Sequence, residues 1–141
     1  MDELVRWLGQ QYDKDERIAR AACWDEQSDV WTARPPQDRY ERYVVVDYLD
    51  DGVVVVTPEN ADADGVGQHI AEHDPARVLR EIDAKRQLIA LHQEVEDPEE
   101  MQDYCATCEV TGNYPYYPCA TLRLLALPYA DRPGYRDDWR P

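Results

Sequence analysis

The chain has 141 residues and a formal net charge of −15, and this length fits one domain with its own hydrophobic core. No run of apolar residues approaches the ~20 that a membrane-spanning helix needs, and the start, Met1-Asp2-Glu3, lacks the basic and apolar stretches of a signal peptide. A strongly negative field repels phosphate backbones and anionic membranes. We therefore expect a single cytoplasmic domain over residues 1–141 that binds neither nucleic acid nor a membrane.

An amphipathic pattern predicts a helix over residues 1–23, with Asp2 as its cap. Apolar residues recur there at a spacing of three to four, which places them on one face. The expected buried stripe consists of Leu4, Leu8, Gln11, Asp15, Ile18 and Ala22, widened by Val5, Tyr12 and Ala19.

Residues 24–57 predict a small antiparallel sheet. The valine-rich runs 43–48 and 53–57 flank Asp50-Asp51-Gly52, which is a hairpin signal. Because both runs are nearly continuous in β-branched residues, we expect both faces of the sheet to be at least partly covered, one of them by a helix. Two or three strands account for this region.

The next segment, residues 68–92, predicts helix after a loop over 58–68. A short helical turn over 68–73 precedes the main helix, in which Asp74 is the cap and Pro75 the first helical residue. This helix should end at His92 and should bury one stripe, consisting of Val78, Leu79, Ile82, Leu88, Ile89 and Leu91. Residues 119–141 predict a last helix, from Cys119 to Leu127, followed by a tail rich in Arg and aromatic residues.

Between these helices, residues 93–118 form an acidic segment without periodicity, which is long for a structureless loop in a small domain. It contains no Lys or Arg, and its acidic residues are Glu94, Glu96, Asp97, Glu99, Glu100, Asp103 and Glu109. Cys105 and Cys108 within it, His92 before it and Cys119 after it match the ligand spacing of a tetrahedral zinc site. Four protein ligands leave no open position on the metal, so we expect zinc as a structural cofactor that orders the segment.

Three alternatives remain at this stage. Cys23 is the rival of His92 for the fourth ligand, because a residue remote in sequence can be near in space. The cysteines can also be reduced residues of the core, or an even count can form two disulfides.

His69 and His73 lie four residues apart, as in the histidine pair of metalloproteases. The match is weak, because Ile70 stands where that motif has its general base and no third ligand is evident. A metal-dependent hydrolase that uses His69 and His73 is therefore one alternative, and a helix-cap or partner-facing pair is the other.

Two long runs, residues 69–79 (HIAEHDPARVL) and 119–131 (CATLRLLALPYAD), continue into a tail that contains residues 133–136 and 139–141. Together with the opening helix they resemble a small family of Streptomyces-type actinobacteria and their phages whose function is unknown. The resemblance covers most of the chain. It implies an actinobacterial or phage origin and no particular activity.

We predict an α+β fold in which three main helices pack on a small antiparallel hairpin or three-stranded sheet, with a zinc-ordered loop. No motif of an enzyme is convincing, so the leading hypothesis is a protein-interaction or regulatory module. Its acidic face and its Tyr/Trp/Arg-rich tail would bind a protein partner with a basic surface. An acidic nucleic-acid mimic that inhibits a host enzyme is a sharper version of this hypothesis, and a charge that serves solubility alone is the plain one.

Overall fold

The structure is a computed structural model that describes residues 2–99, 102–109 and 116–141. The chain forms two compact units: residues 1–14 with 82–141, here called the terminal unit, and residues 15–81, here called the central unit. A single domain over the whole chain stays a prediction. No helix within the described residues is long and apolar enough to span a membrane.

The described elements are mixed helix and strand, as predicted, and they follow in this order. They are α1 Glu3–Ala21, β1 Thr32–Arg34, β2 Tyr43–Val46, β3 Gly52–Val56, α2 Ala63–Glu72, α3 Pro75–Leu91, β4 Glu94–Val95, β5 Tyr104–Cys105, α4 Ala106–Glu109 and α5 Ala120–Ala126, with 3₁₀ turns at Leu127–Tyr129 and Asp137–Trp139. The boundary between the two units falls within α1 and within α3.

The central unit contains a three-stranded antiparallel sheet in the order β1-β2-β3. α2 packs on it around a buried cluster of Tyr43, Val45, Val56 and Ala71. The hairpin prediction is confirmed: β2 and β3 pair, and Asp50 in their turn has a positive φ of 58°. Coverage of both faces is correct for β2 but wrong for β3, where three consecutive valines are 37–45% exposed, namely Val53, Val54 and Val55.

The loop predicted over 58–68 is in part the helix α2. Asp62 caps this helix, because its Oδ2 accepts a hydrogen bond of 2.8 Å from the Gly65 backbone N–H. One of the glycines that suggested a loop is required by packing, because a Cβ at Gly67 would overlap the ring of Tyr43. Glycine is thus present where α2 lies against a side chain of the sheet.

In the terminal unit, the first half of α1 contributes five buried residues, and Asp2 caps the helix by accepting a 2.8 Å hydrogen bond from Leu4 N–H. The unit buries Leu4, Trp7, Leu8, Gln11, Tyr12, Ile82, Leu122, Ala126, Tyr129 and Trp139. Four members of the expected stripes are wrong, because Ile18, Ala22, Leu88 and Leu91 are exposed, with Ile18 at 54% and Leu91 at 62%. Helical phase predicts the buried face, but it does not predict where along a helix the covering residues end.

The C-terminal tail packs against α1 instead of extending into solvent. Trp139 is buried, with its ring 5.5 Å from that of Trp7. The Trp7 indole N–H donates a 3.1 Å hydrogen bond to the Pro133 carbonyl, and Gly134, at φ 89°, passes directly beside the same ring. The tryptophan expected to anchor a partner is therefore a core residue.

Candidate metal centre

His92 occupies the position where α3 ends. Its backbone N–H donates to the carbonyls of Leu88 and Ile89, at 3.2 and 3.1 Å, which is the tightened geometry of a last turn. Its side chain is buried and lies beside three cysteine thiols.

A short β-ladder and two hydrogen bonds bring the Cys105–Cys108 turn to the end of α3. In β4 and β5, Glu94 pairs with Cys105. The Ala106 N–H then donates to the Gln93 carbonyl at 3.0 Å, and the Thr107 hydroxyl donates to the Leu91 carbonyl. The first two residues after Cys105 are thus fixed to the chain on both sides of His92.

Cys119, the N-cap residue of α5, is the remaining member of the cluster. The backbone before it is bound to the same ladder, because Tyr117 N–H donates to the Asp103 carbonyl at 2.9 Å and Tyr104 bridges to Tyr116. The Arg123 guanidinium donates to the Pro118 carbonyl at 3.2 Å, which fixes the turn into α5.

The four side chains converge, and the distances from the imidazole nitrogen to the three sulfur atoms fit a tetrahedral metal site. His92 Nδ1 lies 3.3 Å from Cys105 Sγ and 3.5 Å from the Sγ atoms of Cys108 and Cys119. A tetrahedral zinc ion with bonds of about 2.3 Å to sulfur and about 2.0 Å to nitrogen separates these ligand atoms by about 3.5 Å. All four ligand atoms lie within 4.8 Å of one another, so the cluster is a plausible metal site.

Burial and charge also favour a metal cation. Cys105 and Cys119 are at most 2% exposed. Burial, and then the neighbouring thiols, raise the pKa of Cys108 to about 12. The thiolate form is therefore unfavourable at this position without a positive charge nearby, and a soft divalent cation supplies that charge by binding thiolates.

The other candidate ligands lie outside this cluster. The Cys23 thiol donates a 3.4 Å hydrogen bond to the Ala19 carbonyl, and burial raises its pKa. His69 and His73 have their rings 4.5 Å apart, and His73 Nδ1 lies 2.8 Å from the His69 carbonyl, as expected for a helix-end histidine. Among the described residues, the side chains that cluster closely enough to hold a metal ion together are those of His92, Cys105, Cys108 and Cys119.

Two residues beside the cluster were not anticipated. Thr107 is not a predicted ligand, yet its hydroxyl fastens the Cys-x2-Cys turn to α3. Glu94, one of the acidic residues of segment 93–118, is partly buried, and burial together with its hydrogen bond to Asp103 raises its pKa. Residues 100–101 and 110–115 of the expected zinc loop, Glu100 among them, lie outside the described residues.

Comparison with known proteins agrees with the resemblance seen in the sequence. Searches of curated proteins and of solved structures gave no significant match. One family model matches residues 1–141, which is the whole chain. The chain therefore belongs to DUF6221, a family of unknown function with, in this member, a possible His/Cys₃ metal site.

Proposed function

We propose that the protein is a small cytoplasmic protein-interaction or regulatory module, stabilised by one structural zinc ion bound to His92, Cys105, Cys108 and Cys119. The observation that supports it is the convergence of one imidazole nitrogen and three thiols at 3.3–3.5 Å. Zinc is the metal that most often takes this donor set in closed, tetrahedral sites.

A closed site favours binding over catalysis. With four protein ligands the metal keeps no position for water or substrate, so its contribution is to folding. Among the described residues no third ligand joins His69 and His73. The net charge of −15 then favours a partner with a basic surface, because it steers such a partner by long-range attraction.

The test is the metal content of the purified protein. We expect one zinc ion per chain by elemental analysis, and loss of most of it in Cys105→Ser. Cys23→Ser is the matched control, since it removes a thiol outside the cluster and should keep the full zinc content. A chain without metal, whose melting curve a chelator leaves unchanged, contradicts the proposal. Two zinc ions per chain would instead favour the hydrolase that uses His69 and His73.

A further inference from the structure

The edge strand β3 is unusually apolar and exposed. Among the described strands it pairs with β2 alone, and its sequence, Gly52 followed by four valines, contains neither a charge nor a proline. Natural edge strands commonly carry lysine, proline or a bulge that prevents pairing with another chain. Here a bulge lies at Val53, which leaves Val54, Val55 and Val56 in regular register with β2.

An open pocket of about 440 Å³ adjoins the start of this strand, with Val53, Trp24, Asp47 and Asp51 among its lining residues. Trp24 is 61% exposed but held in place, because its indole N–H donates a 2.7 Å hydrogen bond to Asp47 Oδ2. That hydrogen bond lowers the pKa of Asp47, which therefore stays ionised beside the pocket. The pocket thus combines an aromatic wall with carboxylates.

A second tryptophan contact makes this wall rigid. The rings of Trp24 and Tyr48 are stacked, with centroids 6.0 Å apart and planes 16° apart. The Tyr48 hydroxyl in turn donates a 2.5 Å hydrogen bond to Asp25 Oδ2. A preorganised aromatic face beside ionised carboxylates is the arrangement that binds a Lys or Arg side chain by charge and by cation–π attraction.

Charge decides which kind of strand fits β3. No Lys or Arg lies between Arg42 and Arg77, whereas the acids of that stretch are Asp47, Asp50, Asp51, Glu59, Asp62, Asp64, Glu72 and Asp74. Arg34, at 3.9 Å from Asp50, offsets part of this charge. Antiparallel pairing with a second copy would bring Asp50 and Asp51 of one chain near Glu59 of the other, which is repulsive. A segment with basic residues at its ends is attracted instead.

We propose that β3 and the pocket beside it bind an extended segment of a protein partner, which adds to the sheet as a fourth strand and inserts a Lys or Arg side chain between Trp24 and Asp51. Backbone hydrogen bonds and the exposed valines give affinity, and the basic side chain fixes the register. This inference rests on the proposed function and identifies the surface that performs it.

The test uses the full-length protein and an end-blocked synthetic hexapeptide in which Val and Thr alternate between two terminal Arg residues. Its twin, the Glu twin, has the same central residues and Glu at both ends. We expect the Arg peptide to shift the backbone amide resonances of residues 52–56 and the Trp24 indole N–H. The Glu twin should leave them unchanged. Asp51→Lys should lower the affinity for the Arg peptide by about tenfold or more and should raise the affinity for the Glu twin.

Tyr40→Ala is the matched control, because Tyr40 is 80% exposed in the same unit but lies outside the pocket; its affinity for the Arg peptide should equal that of the parent. Shifts confined to residues elsewhere, an equal response to both peptides, or no response would overturn the assignment to β3. So would concentration-dependent dimerisation that broadens the β3 resonances without peptide. Because zinc content is measured separately, failure of this surface leaves the metal-centred proposal standing.

Discussion

The sheet of the central unit and the cysteine region of the terminal unit are held together by different means. The sheet closes on an apolar cluster of Tyr43, Val45, Val56 and Ala71. In the cysteine region, β4 and β5 have only two residues each, and strands so short do not form a stable sheet by themselves. Four potential metal ligands converge in this region. One region thus depends on apolar burial, and for the other we propose that a bound metal supplies the stability.

Outside the candidate metal cluster, the substitution expected to lower stability most lies in the C-terminal tail of the terminal unit. Trp139→Ala removes a ring that packs at 5.5 Å from Trp7, and large-to-small substitutions of a buried tryptophan destabilise by about 3–5 kcal/mol. We expect a loss of unfolding free energy of that order in denaturant titration. Arg140→Ala, which changes an exposed neighbour, should cost far less.

Zinc content sharpens this prediction, because Trp139 packs on the rings of Trp7 and Tyr135, which are not among the four potential ligands. Trp139→Ala should therefore retain one zinc ion per folded chain. If the substitution abolished metal binding in chains that remain folded, the tail would be part of the metal centre and the two kinds of stabilisation would not be separable.

A smaller effect is expected in the central unit at Gly67. An added Cβ would overlap the Tyr43 ring, which cannot easily move because it is buried and its hydroxyl donates a 2.7 Å hydrogen bond to Asp64. Overpacking of this kind costs about 1–3 kcal/mol, which exceeds the ~1 kcal/mol that alanine contributes over glycine in a helix. Gly67→Ala should therefore lower the free energy of unfolding and leave zinc content unchanged.

The matched control is Gly9→Ala in α1, where a Cβ meets nothing within 4 Å. There the helix propensity of alanine acts alone and should raise stability by up to about 1 kcal/mol. Thermal melts of the two variants should shift in opposite directions. A stabilised Gly67→Ala would mean that α2 and the sheet are packed less closely than described.

Much of the fold was predictable because local signals agree with the tertiary structure. Asp2 and Asp74 cap the helices that they were expected to cap, and Asp50-Asp51-Gly52 lies at the turn of the hairpin. The grouping of the four clustered residues is also predictable, since ligand spacing is a chemical constraint that sequence displays directly. Their binding of a metal stays a prediction.

The errors arise where the reason for a residue lies in a distant contact. Gly67 looked like a loop residue because sequence cannot show the Tyr43 ring above it. Trp139 looked like an exposed anchor because nothing in the tail indicates its contact with Trp7. β3 looked covered because four valines in a row are typical of a buried strand, yet three of them are exposed.

A bound metal should order the cysteine region, whereas the sheet should be independent of it. Amide hydrogen exchange, followed with and without chelator, tests this directly. With metal removed, we expect Ala106, Tyr117 and Arg123, whose N–H groups bond around the cluster, to lose protection while the β2–β3 amides keep theirs. Unchanged protection at Ala106 and Tyr117 in metal-free protein would contradict it, as would equal loss in both regions.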